Sequence, residues 1–393
     1  MGKICYILEK IPPDFSGAGK RVFRQIYKLI GKGYEIEILT FTKENKNNYV
    51  KYIGFRNIFL SSNKLLKLLF SPILICRLML ILNKEKYDIV YCPIGAITLL
   101  TFSMLIINKF LKLKLVVGST LVGSDDPLTI YNSMLGKMKI KLLKKVTATT
   151  SISPLLESIF NKMGINMKAH YMIPNSVDTE LFKPVSAVEK NEMKAEFKLT
   201  GKILLLSVGS IIERKGIFEL IEVFNLLKHK NEMHLLLIGP YDFKDFRRKE
   251  YVCKCINYIV SNKLDKNISF LGEKENVYKY MQMSDIFILN SKSEGFGNVI
   301  IEAQSCKLPT IVNSINGITN YIIKNNYNGI IINNKNEIKE SIEKIIENEE
   351  FRNTLIKNSR DNVISRFTHN IILNKYIIMF REINNAKNEI DFN

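Results

Sequence analysis

The stretch that decides the fold is DIFILNSKSEGFGNVIIEAQSCKLPTIVN, residues 285–313. Its two ends, DIFILN (285–290) and PTIVN (309–313), are short apolar runs of the kind buried on both faces of a parallel sheet. Between them a Ser- and Gly-rich loop holding Glu294 gives way near Asn298 to a helix that carries Glu302 on its first turns. Strand, loop, helix and returning strand in so short a span form the repeating unit of an α/β domain.

The same rhythm extends in both directions. Upstream lie KILLLSVG (202–209), HLLLIG (234–239) and ISFLG (268–272). Nearer the N-terminus come KICYIL (3–8), EIEILTF (35–41) and strands expected at Asp88–Cys92, Lys114–Gly118 and Val146–Thr149. The first crossover is a helix from Ala18 to Lys32 with Val22, Ile26, Leu29 and Ile30 on one face. The pattern breaks at IPNSVDTELFKP (173–184), whose prolines and Asn-Ser turn mark a boundary. Two Rossmann-like domains are expected, 1–180 and 181–369. The tail is helical from Glu337, and the apolar residues of its last segment, NIILNKYIIMFREI (370–383), recur at helical spacing and must cover something.

Composition bounds the rest. A chain of 393 residues can bury two cores, and 46% hydrophobic with 24% charged residues excludes global disorder. Six scattered cysteines form no CxxC repeat, which speaks against a zinc site and for reduced thiols in the cytoplasm. The N-terminal apolar stretch is too short for a secretion signal. Lys67, Pro72 and Arg77 interrupt the long apolar run Leu65–Leu82, so it is not read as a transmembrane helix. A formal charge of +19 suits phosphorylated ligands or an anionic membrane, and equally a solvated helix face in a Lys-rich sequence. Segment 63–84 reads either as an interfacial helix or as helices packed on the sheet.

Two further loops carry chemistry. PPDFSGAGKR (12–21) places Gly17 and Gly19 before a helix, as a structural turn or as a phosphate or sugar contact. VGSIIERKG (208–216) follows a strand with Gly209 and then puts the adjacent cations Arg214 and Lys215 at the carboxyl edge of the sheet, where open α/β sheets bind ligands. In the deciding stretch, Glu294 precedes the helix and Glu302 lies within it. That offset suits two hydroxyl-bearing groups of one long ligand and not a hydrolytic pair flanking one bond. The amides of Gly297, Asn298 and Val299 are free to receive anionic oxygens.

These motifs, in order, resemble the family 4 (group 1) retaining glycosyltransferases of the GT-B fold. The block SEGFGNVIIEA is similar to their E-x7-E nucleotide-sugar signature. PPDFSGAG, IPNSVDTELFKP, VGSIIERKG and ISFLG match their other marks along nearly the whole chain. The resemblance implies α/β architecture with two Rossmann-like domains facing each other across a deep cleft and a C-terminal helix, in 370–393, that crosses back and packs on the first domain. It implies transfer of a sugar from a nucleoside-diphosphate sugar, a UDP- or GDP-sugar, to a saccharide or lipid-linked acceptor in cell-surface polysaccharide or glycolipid synthesis. Arg214 and Lys215 would neutralise the diphosphate in place of a metal, Glu294 would hold the donor sugar, and Glu302 the ribose. Gly17, Gly19, Gly209 and the segment Phe296–Val299 would line the donor. No cofactor and no nucleic acid partner are expected, and the location is cytoplasmic, with peripheral membrane contact left open.

The chain departs from the family where members often carry a His near the reacting sugar. Here LVVGSTLVGSDDP (115–127) offers Ser119 and Thr120 instead, and none of the four histidines falls in that region. Asp125 and Asp126 are read either as acceptor ligands or as a helix cap before Pro127. A GT-B epimerase or phosphorylase and a non-catalytic basic binding module are the competing functions.

Overall fold

Runs of Leu, Ile and Val too uniform to leave a face for solvent become strands covered on both sides. In Ile203–Val208, for example, Leu204, Leu205 and Leu206 are all fully buried. The computed structural model describes residues 2–11, 17–43, 48–61, 63–94, 98–165 and 169–386. The chain divides into two units, Met1–Pro174 with Ile372–Asn393, and Asn175–Ile371. The division falls within IPNSVDTELFKP, between Pro174 and Asn175.

The first unit contains the parallel strands β1 (Lys3–Leu8), β2 (Glu35–Thr40), β3 (Val50–Tyr52), β4 (Ile89–Cys92), β5 (Leu115–Ser119), β6 (Ala148–Ser151) and β7 (His170–Met172). Their order is β3-β2-β1-β4-β5-β6-β7, so the winding reverses between β1 and β4. One core on the sheet joins Leu74, Leu78 and Leu82 of helix Lys64–Glu85 with Met104 and Ile107 of helix Leu99–Leu111 and Ile140 and Leu143 of helix Gly136–Leu143. Helix Lys64–Glu85 is a single element with Pro72 inside it. Elsewhere in the unit, Phe380 of the last helix, His369–Asn385, lies edge-on to Tyr6 and Tyr91. The chain thus returns to its first domain.

The second unit holds β8 (Ile203–Val208), β9 (Met233–Ile238), β10 (Ile268–Gly272), β11 (Ile286–Leu289), β12 (Thr310–Asn313) and β13 (Ile330–Ile332), all parallel, in the order β10-β9-β8-β11-β12-β13. Here the winding reverses between β8 and β11. Two Rossmann-like α/β domains are therefore present.

Strand β6 begins two residues later than its apolar start suggests. Val146 still belongs to the turn, bonding back to Leu143, and the polar residues Thr149, Thr150 and Ser151 continue inside the sheet. Their hydroxyls are satisfied there: Thr149 and Ser151 meet the two ring nitrogens of His170 at 2.8 and 2.9 Å, and Thr150 meets the Tyr91 hydroxyl at 3.1 Å.

Candidate active site

In an open parallel sheet the crevice for a ligand forms outside the carboxyl ends of the two strands where the winding reverses. In the second unit those strands are β8 and β11. The loop after β8 carries Gly209, Arg214 and Lys215, and the loop after β11 carries Glu294, Phe296 and Gly297. The two cations and the first carboxylate read from the sequence therefore meet at one switch point.

The two loops are bonded into one rigid piece. The Lys292 amide donates to the Arg214 carbonyl at 2.8 Å, and the Asn290 side-chain amide donates to the Gly216 carbonyl at 3.0 Å. Gly216 has φ +63, and a Cβ there would lie 2.4 Å from the Asn290 carbonyl oxygen, so only glycine lets the chains approach this closely. Lys215 Nζ sits 2.5 Å from Glu294 Oε1, with both side chains only 12% exposed. The Arg214 guanidinium lies 3.9 Å from the same oxygen, is 42% exposed, and donates to the Ser293 carbonyl. One carboxylate thus holds two cations at the sheet edge, leaving Arg214 open to an incoming anion.

Helix Asn298–Ser305 starts at the same place. Gly297 opens it in the left-handed conformation (φ +89), and among the described residues no side chain caps it, so the amides of its first turn present the positive end of the helix dipole. Glu302 lies one turn in, half-buried. Burial, then the Glu302 charge, push the Cys306 thiol up to about 12. The Asn298 side-chain oxygen accepts a hydrogen bond from buried Asn175 at 2.7 Å, so the domain-junction motif braces the start of this helix. Phe296 is buried against Phe367 and Tyr321 and supports the loop from behind.

In the first unit, helix Gly17–Ile30 begins at Gly17, so Gly17 and Gly19 form its first turn, while Pro12–Ser16 of the predicted loop lie outside the described residues. Ser119 ends β5, and Thr120, Asp125 and Asp126 follow it. The Asp125 carboxylate accepts from the Ser119 hydroxyl and from the Thr120 and Leu121 amides at 2.6–3.1 Å. Burial raises its pKa against those bonds. Asp126 accepts from the Leu128 and Thr129 amides at 3.0 Å and caps helix Pro127–Tyr131. Both carboxylates are thus engaged in shaping their own loop.

The histidines serve structure or surface. His170 is pushed down to about 4 by burial, His234 bonds Ser269, His369 bonds Ser176, and His229 is exposed beside Glu232.

Three residues escaped the sequence reading. Asn175 and Asn290 brace the second-unit loops, and Glu9 stands directly after β1 at the switch point of the first sheet. Glu9 lines a cavity of about 110 Å³ with Gly19, Ile94, Thr98 and Thr101. Burial pushes its pKa up, opposed by a bond with Thr98. The signal available was its place, a charged residue next to the carboxyl end of a buried strand.

Residues 188–362 match the profile of the family described as Glycosyl transferases group 1. The chain is 28% identical over 337 residues, 84% of its length and 85% of the other's, to an uncharacterised glycosyltransferase of Methanocaldococcus jannaschii. It is 28% identical over 205 residues, 50% of each chain, to the UDP-Gal:α-D-GlcNAc-diphosphoundecaprenol α-1,3-galactosyltransferase of Escherichia coli. The crystal structure of Anabaena HepE in complex with UDP and glucose matches 97% of this chain and 100% of that one with a TM-score of 0.77 at 17% identity, a likeness of fold. Residues 188–362 are thus a group 1 glycosyltransferase domain, and the chain has the two Rossmann-like domains of the GT-B fold.

Proposed function

We propose that this enzyme moves a sugar, with retention of anomeric configuration and without a metal ion, from a UDP- or GDP-sugar to a saccharide or lipid-linked acceptor. It would act at the cytoplasmic face of a membrane, in cell-surface polysaccharide or glycolipid synthesis. The observation that carries this reading is the cluster of Arg214, Lys215 and Glu294 at the β8–β11 switch point, beside the uncapped start of helix Asn298–Ser305. The names of two proteins with matching chains or folds support it: one acts with UDP-Gal on a diphosphoundecaprenol-linked sugar, the other holds UDP and glucose.

Arg214 and Lys215 face the diphosphate, each charge-assisted contact contributing about 1.5–3 kcal/mol, with a smaller share from the amides of Asn298 and Val299. Glu294 receives hydroxyls of the sugar, and Glu302 those of the ribose. The bond between the anomeric carbon and the diphosphate oxygen breaks while the acceptor hydroxyl adds to the same face. The hydroxyl's proton passes to the departing phosphate oxygen, so no protein base is needed. The cations stabilise the charge that grows on the leaving diphosphate.

Thermal unfolding with UDP, GDP and ADP tests the donor assignment. A true ligand at a hundredfold excess over its Kd stabilises by about 2.7 kcal/mol. UDP or GDP should raise the melting temperature of the wild type, and Glu302→Ala should remove most of that rise. No stabilisation by any of the three, or an unchanged rise in Glu302→Ala, rejects the reading.

A further inference from the structure

Helix Lys64–Glu85 presents one apolar stripe to the core and a second to solvent. Leu74, Leu78 and Leu82 are buried with Leu39, Phe41 and Val90. On the opposite side Leu65, Leu69, Ile73 and Leu80 recur at helical spacing and are 66%, 62%, 51% and 73% exposed. A helix laid on a sheet in water carries charged residues on that side. This one carries leucine, and no acidic residue occurs from Lys46 to Lys84.

The neighbouring helices of the same layer continue the pattern. Helix Leu99–Leu111 packs against helix Lys64–Glu85 on one side and helix Gly136–Leu143 on the other. It ends in exposed Phe110. Met134 and Leu135, which lead into the third helix, are also exposed, and no acidic residue lies from Pro127 to Leu156. Between the ends of the second and third helices is a cavity of about 310 Å³ lined by Lys109, Lys112 and Lys145. Asn108 also lines it, and its buried side-chain oxygen has no hydrogen-bond partner.

We propose that the outer face of this three-helix layer is a docking surface for an anionic phospholipid bilayer. The leucine stripe enters the headgroup–acyl boundary, and the lysine-lined cavity seats a lipid phosphate. The apolar stripe and the unbroken positive charge together favour this occupant, because lipid offers both an apolar phase and anions. Helix Lys64–Glu85 is long and apolar enough to cross a membrane, with a mean hydropathy of 2.2 over its best window. Its buried stripe ties it to the sheet, so it lies along the membrane and does not span it. The proposal deepens the membrane half of the function above, and its test uses no sugar chemistry.

The full chain is sedimented with vesicles of phosphatidylglycerol and phosphatidylcholine and with vesicles of phosphatidylcholine alone, at low and high salt. Binding to the anionic vesicles at low salt is expected, weakened by salt. Each basic side chain at an anionic leaflet is worth about fivefold in affinity, so Lys109→Glu with Lys145→Glu should lower binding by about 25-fold or more. Leu65→Glu with Leu69→Glu should abolish it. Leu226→Glu, at an exposed leucine of the second unit, should leave it unchanged. All variants should keep wild-type stabilisation by the nucleotide and wild-type release of nucleoside diphosphate from the donor. No binding by the wild type at low salt, or wild-type binding by both double variants, overturns the proposal. So does a wild-type dimer that Leu65→Glu with Leu69→Glu dissociates, which would assign the stripe to a second copy of the chain. In each of those cases donor use by the wild type leaves the glycosyltransferase reading standing.

Discussion

Lys215 and Glu294 form a contact 2.5 Å long in which each side chain is only 12% exposed, and that geometry fixes what their removal must do. Breaking a buried ion pair from one side strands a charge in a poorly solvated place and costs about 3–5 kcal/mol. Water still reaches both groups here, and Arg214 remains 3.9 Å from the carboxylate. The low end, about 3 kcal/mol, is therefore expected for Lys215→Met or Glu294→Gln. For a unit the size of Asn175–Ile371 that lowers the melting temperature by about 6–12 °C. The double variant removes both charges together and should recover to within about 1 kcal/mol of the wild type, a non-additive cycle. Turnover should follow a different course. On the reaction proposed above, Lys215→Met takes a cation from the leaving diphosphate, and release of nucleoside diphosphate should fall about 10²–10³-fold in Lys215→Met and in the double variant alike. Circular dichroism melts and a coupled nucleotide-release assay measure the two quantities on the same samples. Single variants that melt like the wild type, or a double variant whose turnover recovers with its stability, would refute the assignment.

Two other perturbations follow from the geometry. His170 is held neutral by burial, its pKa lowered to about 4 from an unfolded value of 6.5. The unfolded chain then binds more protons between those limits, so this residue's stabilisation is fully present above pH 6.5 and is lost as the pH falls toward 4. It amounts to about 3 kcal/mol, and urea midpoints at pH 7 and 4.5 should differ less in His170→Gln than in the wild type. Gly216→Ala places a Cβ 2.4 Å from the Asn290 carbonyl oxygen at φ +63. It should destabilise by about 1–2 kcal/mol or more and displace Arg214 and Lys215, lowering turnover, whereas Gly201→Ala, at φ +75 with nothing within 4 Å, should lower stability alone.

How much of this was written in the sequence depended on whether burial expressed itself as composition. The central strands were legible because a strand covered on both faces must be almost wholly apolar, as ILLLSV in β8 and IFIL in β11 are. The missed strands β3, β7 and β13 are all sheet edges three residues long, too short for any periodicity to register. β6 was misplaced because its Thr and Ser residues look like loop until His170 and Tyr91 supply their hydrogen bonds. Helix Lys64–Glu85 showed its apolar length in sequence, but which of its two stripes meets the core is settled only by packing.

The two switch points explain why the candidate residues of the second unit could be read from sequence and those of the first could not. At β8–β11 the candidate groups are adjacent cations and a carboxylate beside the start of helix Asn298–Ser305, and such side chains have few structural uses at the edge of a parallel sheet. Their pattern therefore carries information before folding. In the first unit the polar groups have ordinary structural duties that sequence cannot distinguish from ligand binding. Asp126 caps a helix, Asp125 closes a loop, and Glu9 sits buried against Thr98. A helix cap and a ligand carboxylate are the same residue type at the same spacing. Only the count of hydrogen-bond acceptors left over in the folded loop tells them apart, and by that count Asp125 and Asp126 have already given theirs to their own backbone.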